Sequence, residues 1–187
     1  LSTATEYQDT DVVVGTPYEY RLYQGVTQGY VNAGIRVPLI EDRGKVVLVV
    51  DNTHAVPLAA ELARLEEDLA GDGWTVLRHD AARTDSVPYV KALVQAEYDA
   101  DPDNVKSVFL FGHVPVPYSG NIYPDGHTDH QGAWPADVFY GEMNGTWTDS
   151  TVNNIAATRP ANDNVPGDGK YDQSSIPTDV ELMVGRV

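Results

Sequence analysis

The sequence predicts an α/β domain, a three-layer α/β/α arrangement around a mainly parallel sheet, preceded by a short β segment. Three observations carry this expectation. Lys45-Val-Val-Leu-Val-Val-Asp51 is a continuous β-branched and apolar run, the pattern of a strand buried on both faces. Two amphipathic segments, Pro57–Ala70 and Val87–Tyr98, alternate with strand-like runs. A third apolar run, Val105–Phe111, is closed by Gly112. Strands alternating with helices of this length imply crossover connections and parallel pairing.

Each element has its own local reason. In residues 1–38 a turn at Gly15-Thr16-Pro17 precedes Tyr18, Tyr20 and Leu22, which alternate with Glu19 and Arg21. That period of two marks a half-buried strand, and Gly29–Val37 supplies another. So few strands cannot bury a sandwich core by themselves. Residues 39–187 follow the strand–helix grammar. Pro57 falls in the first turn of the first helix, whose apolar face is Leu58, Leu62, Leu65 and Leu69, with Gly71 or Gly73 as its stop. Trp74–His79 is the second strand, and Pro88 opens the second helix. Beyond Gly112 the pattern becomes long loops with two short expected strands, Asp137–Tyr140 and Val180–Val187.

Composition narrows the chemistry. The 187 residues include 28 acidic and 12 basic side chains, a net charge of −16. Such a field repels phosphate backbones, so no nucleic-acid partner is expected. It suits solubility and cation binding. The chain has no cysteine, which removes disulfides, thiolate metal sites and cysteine nucleophiles from these residues. No apolar run is long enough for a membrane span. A chain opening at Leu1 rather than Met is expected to have lost a leader or upstream domains.

Two loops carry candidate ligands. His113 follows the third strand, and His127, Asp129 and His130 lie in a loop without Lys or Arg, with Asp125 beside them. Imidazoles three residues apart with neighbouring carboxylates suit zinc or another divalent metal. The alternative is a solvated, hydrogen-bonded turn, since a loop lacks the helical spacing that makes such a pair specific. The second loop, Asn162-Asp163-Asn164-Val-Pro-Gly-Asp168-Gly-Lys-Tyr-Asp172, offers the oxygens and glycines that calcium requires. Pro166 stands where a ligand should be and no Glu closes the loop, so an Asx-rich surface turn is the competing account. Glu142, Asn144 and Asp149 form a further oxygen-rich candidate. Asp51 and His54 sit where α/β enzymes place functional groups, although such an Asp more commonly caps the following helix. His79-Asp80 reads as a solvated turn, and Trp134, Tyr118, Tyr123 and Tyr140 as loop anchors rather than a sugar-binding surface.

Three short blocks resemble the gingipain-type cysteine peptidases, whose fold is caspase-like. They are Val108-Phe-Leu-Phe-Gly-His-Val-Pro-Val-Pro117, Pro135-Ala-Asp-Val-Phe-Tyr-Gly-Glu-Met-Asn-Gly145 and Val180-Glu-Leu-Met-Val-Gly-Arg-Val187. The likeness spans about Lys45 to Val187 in element order. It implies the first catalytic subdomain of such a peptidase and a tendency to bind calcium. In that family the catalytic His and Cys lie on strands after the Gly-Arg strand, so the resemblance assigns no catalytic residue here. The order Gly15-Thr-Pro17, then Tyr18-Glu-Tyr-Arg21, is similar to the closing strands of a fibronectin type III module and implies that residues 1–38 are its remnant.

The leading expectation is therefore part of a secreted or cell-surface, bacterial-type peptidase. It would be inactive within this chain and bind calcium. Its last strand would pair with the remainder of its own polypeptide or with a partner chain. The alternatives are a metal-dependent hydrolase built on His113, His127 and His130, and a non-catalytic, surface-associated calcium-binding module.

Overall fold

A computed structural model describes residues 6–37 and 41–187. The chain separates into two compact units, Leu1–Glu41 and Asp42–Val187. The expected division between 38 and 39 falls outside the described residues.

The first unit contains a two-stranded antiparallel hairpin, β1 (Tyr18–Gln24) and β2 (Thr27–Ala33). Gln24 pairs with Thr27 across Gly25-Val26, and Gly25 takes a φ of +59°, the conformation a tight hairpin turn asks of its first central residue. Tyr18 and Tyr20 are half-buried as the alternation predicts, but Leu22 is exposed. The tyrosine hydroxyls bind locally: Val13 N–H donates to Tyr18 Oη at 2.8 Å and Tyr20 Oη–H to Asp9 Oδ2 at 3.0 Å. β2 begins two residues before the expected strand and ends at Ala33 rather than Val37.

The second unit is a mixed α/β body with a four-stranded sheet in the order β4-β3-β5-β8. Its strands are β3 (Gly44–Asp51), β4 (Trp74–Ala81), β5 (Val105–Phe111) and β8 (Met183–Arg186), all parallel to their neighbours. β3 lies inside and is buried from Val46 to Asp51, as its unbroken apolar run requires. After a short α1 (Asn52–Ala55), α2 (Ala59–Gly71) returns the chain to β4, and α3 (Val87–Ala100) leads to β5. Pro57 precedes α2 instead of starting it. Ser86 caps α3, its Oγ accepting from Tyr89 N–H at 3.2 Å, with Pro88 in the first turn.

Alternation along β3 assigns each helix a face. Leu48 and Val50 pack with Leu62 of α2, while Val47 and Val49 pack with Val90 and Val94 of α3. Phe109 and Phe111 of β5 join the first cluster, and Val108 and Leu110 the second. The α3 side is the larger, because the segment after β5 folds over it with Val114, Phe139, Tyr140, Met143, Tyr171 and Leu182.

That segment contains little regular structure. β6 (Tyr118–Ser119) and β7 (Trp134–Pro135) form a minimal antiparallel pair. The expected strand at Asp137–Tyr140 is instead a 3₁₀ helix. Phe139 and Tyr140 are both buried, which a strand with one covered face would not allow for adjacent residues. A second 3₁₀ turn covers Pro160–Asn162. The last strand is shorter than expected, since Val180–Leu182 bind to the 3₁₀ helix end through Glu181 N and Leu182 N, both donating to Gly141 O.

Leu62 fills the α2 interface at 1% exposure. Leu62→Ala should cost about 2–5 kcal/mol in urea unfolding, the range for a large-to-small change in a packed core. Ile155→Ala, at a position 75% exposed, should change stability by less than about 0.5 kcal/mol.

Candidate functional site

The carboxyl ends of the sheet strands are where an open α/β sheet gathers ligands, most of all where the chain reverses its direction of winding. Here α2 carries the chain from β3 to β4 on one face, and α3 carries it back past β3 to β5 on the other. The reversal lies between β3 and β5, at Asp51 and Gly112.

Asp51 is fully buried at that point. Its Oδ1 accepts from Thr53 N–H at 3.0 Å and from Thr53 Oγ1–H at 2.7 Å. Its Oδ2 accepts from Arg83 Nε–H at 2.6 Å and from His113 N–H at 3.1 Å. Burial by itself would raise the carboxyl pKa, but the hydrogen bonds from Thr53, Arg83 and His113 outweigh it and hold the group well below the usual carboxylate range. His54 Nε2 stands 3.8 Å from the same oxygen, its ring edge-on to Phe111. Gly112 has a φ of +81°, and a Cβ there would lie 2.8 Å from His54 Cδ2 and 2.9 Å from the Asp51 Cβ. The backbone can turn into the loop here only because no side chain is present. With four hydrogen bonds made and its charge fixed, Asp51 is an anchor and not a proton carrier.

The neighbouring strand ends are tied by a second ion pair. Arg186 of β8 donates from Nε to Asp137 Oδ2 at 2.6 Å and from Nη2 to Asp137 Oδ1 at 2.7 Å. Its Nη1 also reaches Val114 O at 2.6 Å. Tyr140 Oη–H donates to Pro115 O at 2.7 Å, and its burial raises the phenol pKa. The loop leaving β5 is thus held from both sides by one bidentate arginine and one buried tyrosine.

Of the residues expected to bind a transition metal, the structure brings together His127 and His130, but around Asp125. Donor atoms of these three lie within 4.8 Å of one another. His127 Nδ1 is 3.1 Å and His130 Nδ1 2.5 Å from Asp125 Oδ2, and His127 N–H donates to Asp125 Oδ1 at 3.1 Å. The hydrogen bond with His130 is the main cause that lowers the Asp125 pKa to about 2. Asp129 is not in this group; it lines a 220 Å³ cavity together with His130, Trp134 and Arg159. His113 belongs by its backbone to the Asp51 network. The signal that favours Asp125 is its place two residues before His127, where an Asp side chain receives the peptide N–H of residue i+2.

The carboxylates expected to bind calcium accept hydrogen bonds from within the protein. Asp172 accepts from Thr148 Oγ1 at 2.7 Å, Ser150 N at 3.0 Å and Val152 N at 2.8 Å. Burial works against its ionisation, yet these bonds keep its pKa below the usual range. Asp168 accepts from Val165 N, Lys170 N and Lys170 Nζ. Asp163 Oδ1 takes Ala157 N–H at 3.3 Å. Asn164 is fully buried and donates to Gly120 O and Tyr171 O, both at 2.8 Å, while Asn162 lines the 220 Å³ cavity. The further candidates behave alike: Glu142 accepts from Asn144 N, Gly145 N, Trp147 Nε1 and Thr178 Oγ1, and Asp149 from Gly167 N and Gly169 N. These carboxylate oxygens already accept hydrogen bonds, whereas the buried Asn164 Oδ1 has no hydrogen-bond partner.

His79 and Asp80 lie within β4 rather than in the expected turn, His79 pairing with Glu97 at 2.8 Å and Asp80 with Arg78 at 2.9 Å. Arg83 and Asp137 are not legible as site residues from sequence, and Asp125 only as a carboxylate beside the histidines. Each acquires its role from a partner distant in the chain or from a local turn that composition does not reveal. A scan against protein-family models, a search of curated proteins and a search of solved structures each found no match.

Because the Asp51 carboxyl has a depressed folded-state pKa, the stability it contributes is complete above the unfolded value, near pH 4, and declines as pH falls toward the folded one. Asp51→Asn should lose about 1–3 kcal/mol in urea unfolding at pH 7. The gap from wild type should narrow below about pH 4; a gap unchanged down to pH 2 would remove Asp51 from this role.

Proposed function

We propose that residues 42–187 are the first part of the catalytic domain of a gingipain-like peptidase, a three-layer caspase-like unit whose nucleophile and base reside on strands added beside β8. One observation supports this reading: the Gly-Arg strand β8 is an edge strand of the parallel sheet, its carboxyl end tied to Asp137 through Arg186. Among the described residues β8 pairs only with β5, and Met183 is 62% exposed on that strand. An unpaired edge of a parallel sheet is a template for another strand. Two of the three sequence blocks that resemble the family, through Asp137-x-x-Tyr140-Gly141 and Gly185-Arg186, also meet in one bidentate pair beside that edge.

In this reading the chain supplies the frame of a site and not its reacting groups. Asp51 fixes the crevice between β3 and β5, while Arg186 and Asp137 fix the ledge next to the incoming strand. The substrate would be a polypeptide, laid along the carboxyl edge of the completed sheet.

The test compares this chain alone with the natural polypeptide continued beyond Val187, using a fluorogenic protein substrate. The chain alone should show no turnover; the continued polypeptide should show activity abolished by iodoacetamide. Thiol-independent hydrolysis by this chain alone, lost on chelation and in His127→Ala, would replace the reading with a metal-dependent hydrolase.

A further inference from the structure

The loop joining β6 to β7 holds a convergence that the peptidase reading does not use. Two imidazoles, from His127 and His130, direct their Nδ1 atoms at a single carboxylate oxygen, Asp125 Oδ2. Several independent contacts set these positions. Tyr123 N donates to His130 O at 3.0 Å, Gly126 N to Tyr123 O at 3.0 Å and His130 N to His127 O at 3.1 Å. Ile122 and Gln131 bridge the two ends of the loop. The His130 ring stacks on Trp134, centroids 4.4 Å apart and planes 16° from parallel. The donors are therefore oriented by backbone and stacking as well as by one another.

We infer that Asp125, His127 and His130 bind a divalent cation of the zinc class, which clips the β6–β7 loop closed. Two imidazoles and one carboxylate are a zinc donor set, and calcium would not select nitrogen ligands. Nitrogen and oxygen ligands lie about 2.0–2.2 Å from zinc, so neighbouring donors of a tetrahedral site are about 3.3 Å apart. The 3.1 Å between His127 Nδ1 and Asp125 Oδ2 already matches such an edge, and the 2.5 Å to His130 needs an opening of less than about 1 Å. Three protein ligands leave the fourth position of the ion to water. The group is partly exposed, so an ion has a direct route in, and the chain's net charge of −16 favours its approach. The clip differs from the set expected from sequence: Asp125 takes the place of Asp129, and His113 is not a ligand.

The inference stands apart from the peptidase reading, and its test reads binding and not turnover. Tag-free protein, stripped with chelator and dialysed, is titrated calorimetrically with zinc chloride, and separately with cobalt(II) followed by visible absorption. One equivalent of each metal is expected, with cobalt giving the visible bands of a low-coordinate nitrogen and oxygen site. Zinc should also slow proteolytic cleavage within 121–132. Asp125→Ala and His127→Ala alter exposed side chains and should weaken zinc at least about 10–100-fold, the cost already typical of losing a mere outer-sphere partner. Asp129→Asn and His113→Ala should leave affinity unchanged. Absence of stoichiometric binding would overturn the site, leaving a hydrogen-bonded His–Asp cluster. So would affinity unaffected by both Asp125→Ala and His127→Ala, or weakened equally by His113→Ala.

Discussion

The second unit depends on one buried charge. Asp51 ends the innermost part of β3, and its two oxygens bind groups from the segments that leave three adjacent strands: Thr53 after β3, Arg83 after β4 and His113 after β5. Hydrophobic packing makes the sheet cohere, but it is non-directional and does not dictate where three loops depart. A carboxylate with four directed donors does. Its burial is tolerable only because every acceptor site is used; removing donors would leave a charge in a place without water. The glycine at 112 belongs to the same constraint, since any side chain there would collide with the Asp51 and His54 side chains.

The same device recurs where regular structure fails. Between β5 and β8 the chain runs some 70 residues with only two-residue strands and short 3₁₀ turns. Backbone N–H groups in such a segment need partners. Asp172 gathers Ser150, Thr151 and Val152; Glu142 gathers Asn144 and Gly145; Asp149 gathers Gly167 and Gly169. The acidic composition is thus partly internal architecture. Carboxylates do here what a sheet ladder or a helix does elsewhere, and they do so next to an aromatic cluster in which Phe139 stacks on Tyr171 at 4.5 Å and meets Trp147 edge-on at 5.3 Å. Lys91 of α3 seals this region against the helix. Its Nζ donates to Glu142 O at 2.5 Å, and burial lowers its pKa to about 8 against the opposing pull of Glu142 and Glu181.

This explains what was legible in the sequence. β3, α2, β4, α3 and β5 were readable because burial imposes a period on them: Val46–Asp51 is covered on both faces, and Leu62 and Val94 recur on helical faces. Residues 137–140 were read as a strand because they are apolar and aromatic, yet their conformation is set by Ala136 O and Val138 O accepting from Phe139 and Gly141. No periodicity encodes that. The oxygen-rich loop at 162–172 suggested calcium because a carboxylate that accepts peptide N–H groups and one that ligates an ion have the same composition. Around Asp172 the donors are the Thr148 hydroxyl and the amides of Ser150, Thr151 and Val152, some 20 residues earlier in the chain, a convergence that composition does not reveal. Asp125 was passed over in favour of Asp129 because both flank the histidines, and only the turn geometry tells which carboxylate faces them.

A consequence follows for where chemistry can reside. At the switch point Asp51 is saturated with donors, Arg83 is bound to it and the His113 amide points inward to it, while the His54 imidazole stands 3.8 Å away, beyond hydrogen-bond distance. On the ledge, Arg186 and Asp137 satisfy each other. A catalytic acid, base or nucleophile must keep a lone pair or proton free for substrate, whereas these groups have directed theirs into the scaffold. Two sets of groups with capacity to spare lie at the periphery. One set is the unpaired strand edge along β8, which can accept backbone hydrogen bonds from an added strand. The other is the Asp125–His127–His130 convergence, whose nitrogen and oxygen atoms meet at a partly exposed point. An interior in which Asp51 and the Arg186–Asp137 pair fix where the loops leave the sheet is ordered by directed charge as well as by packing.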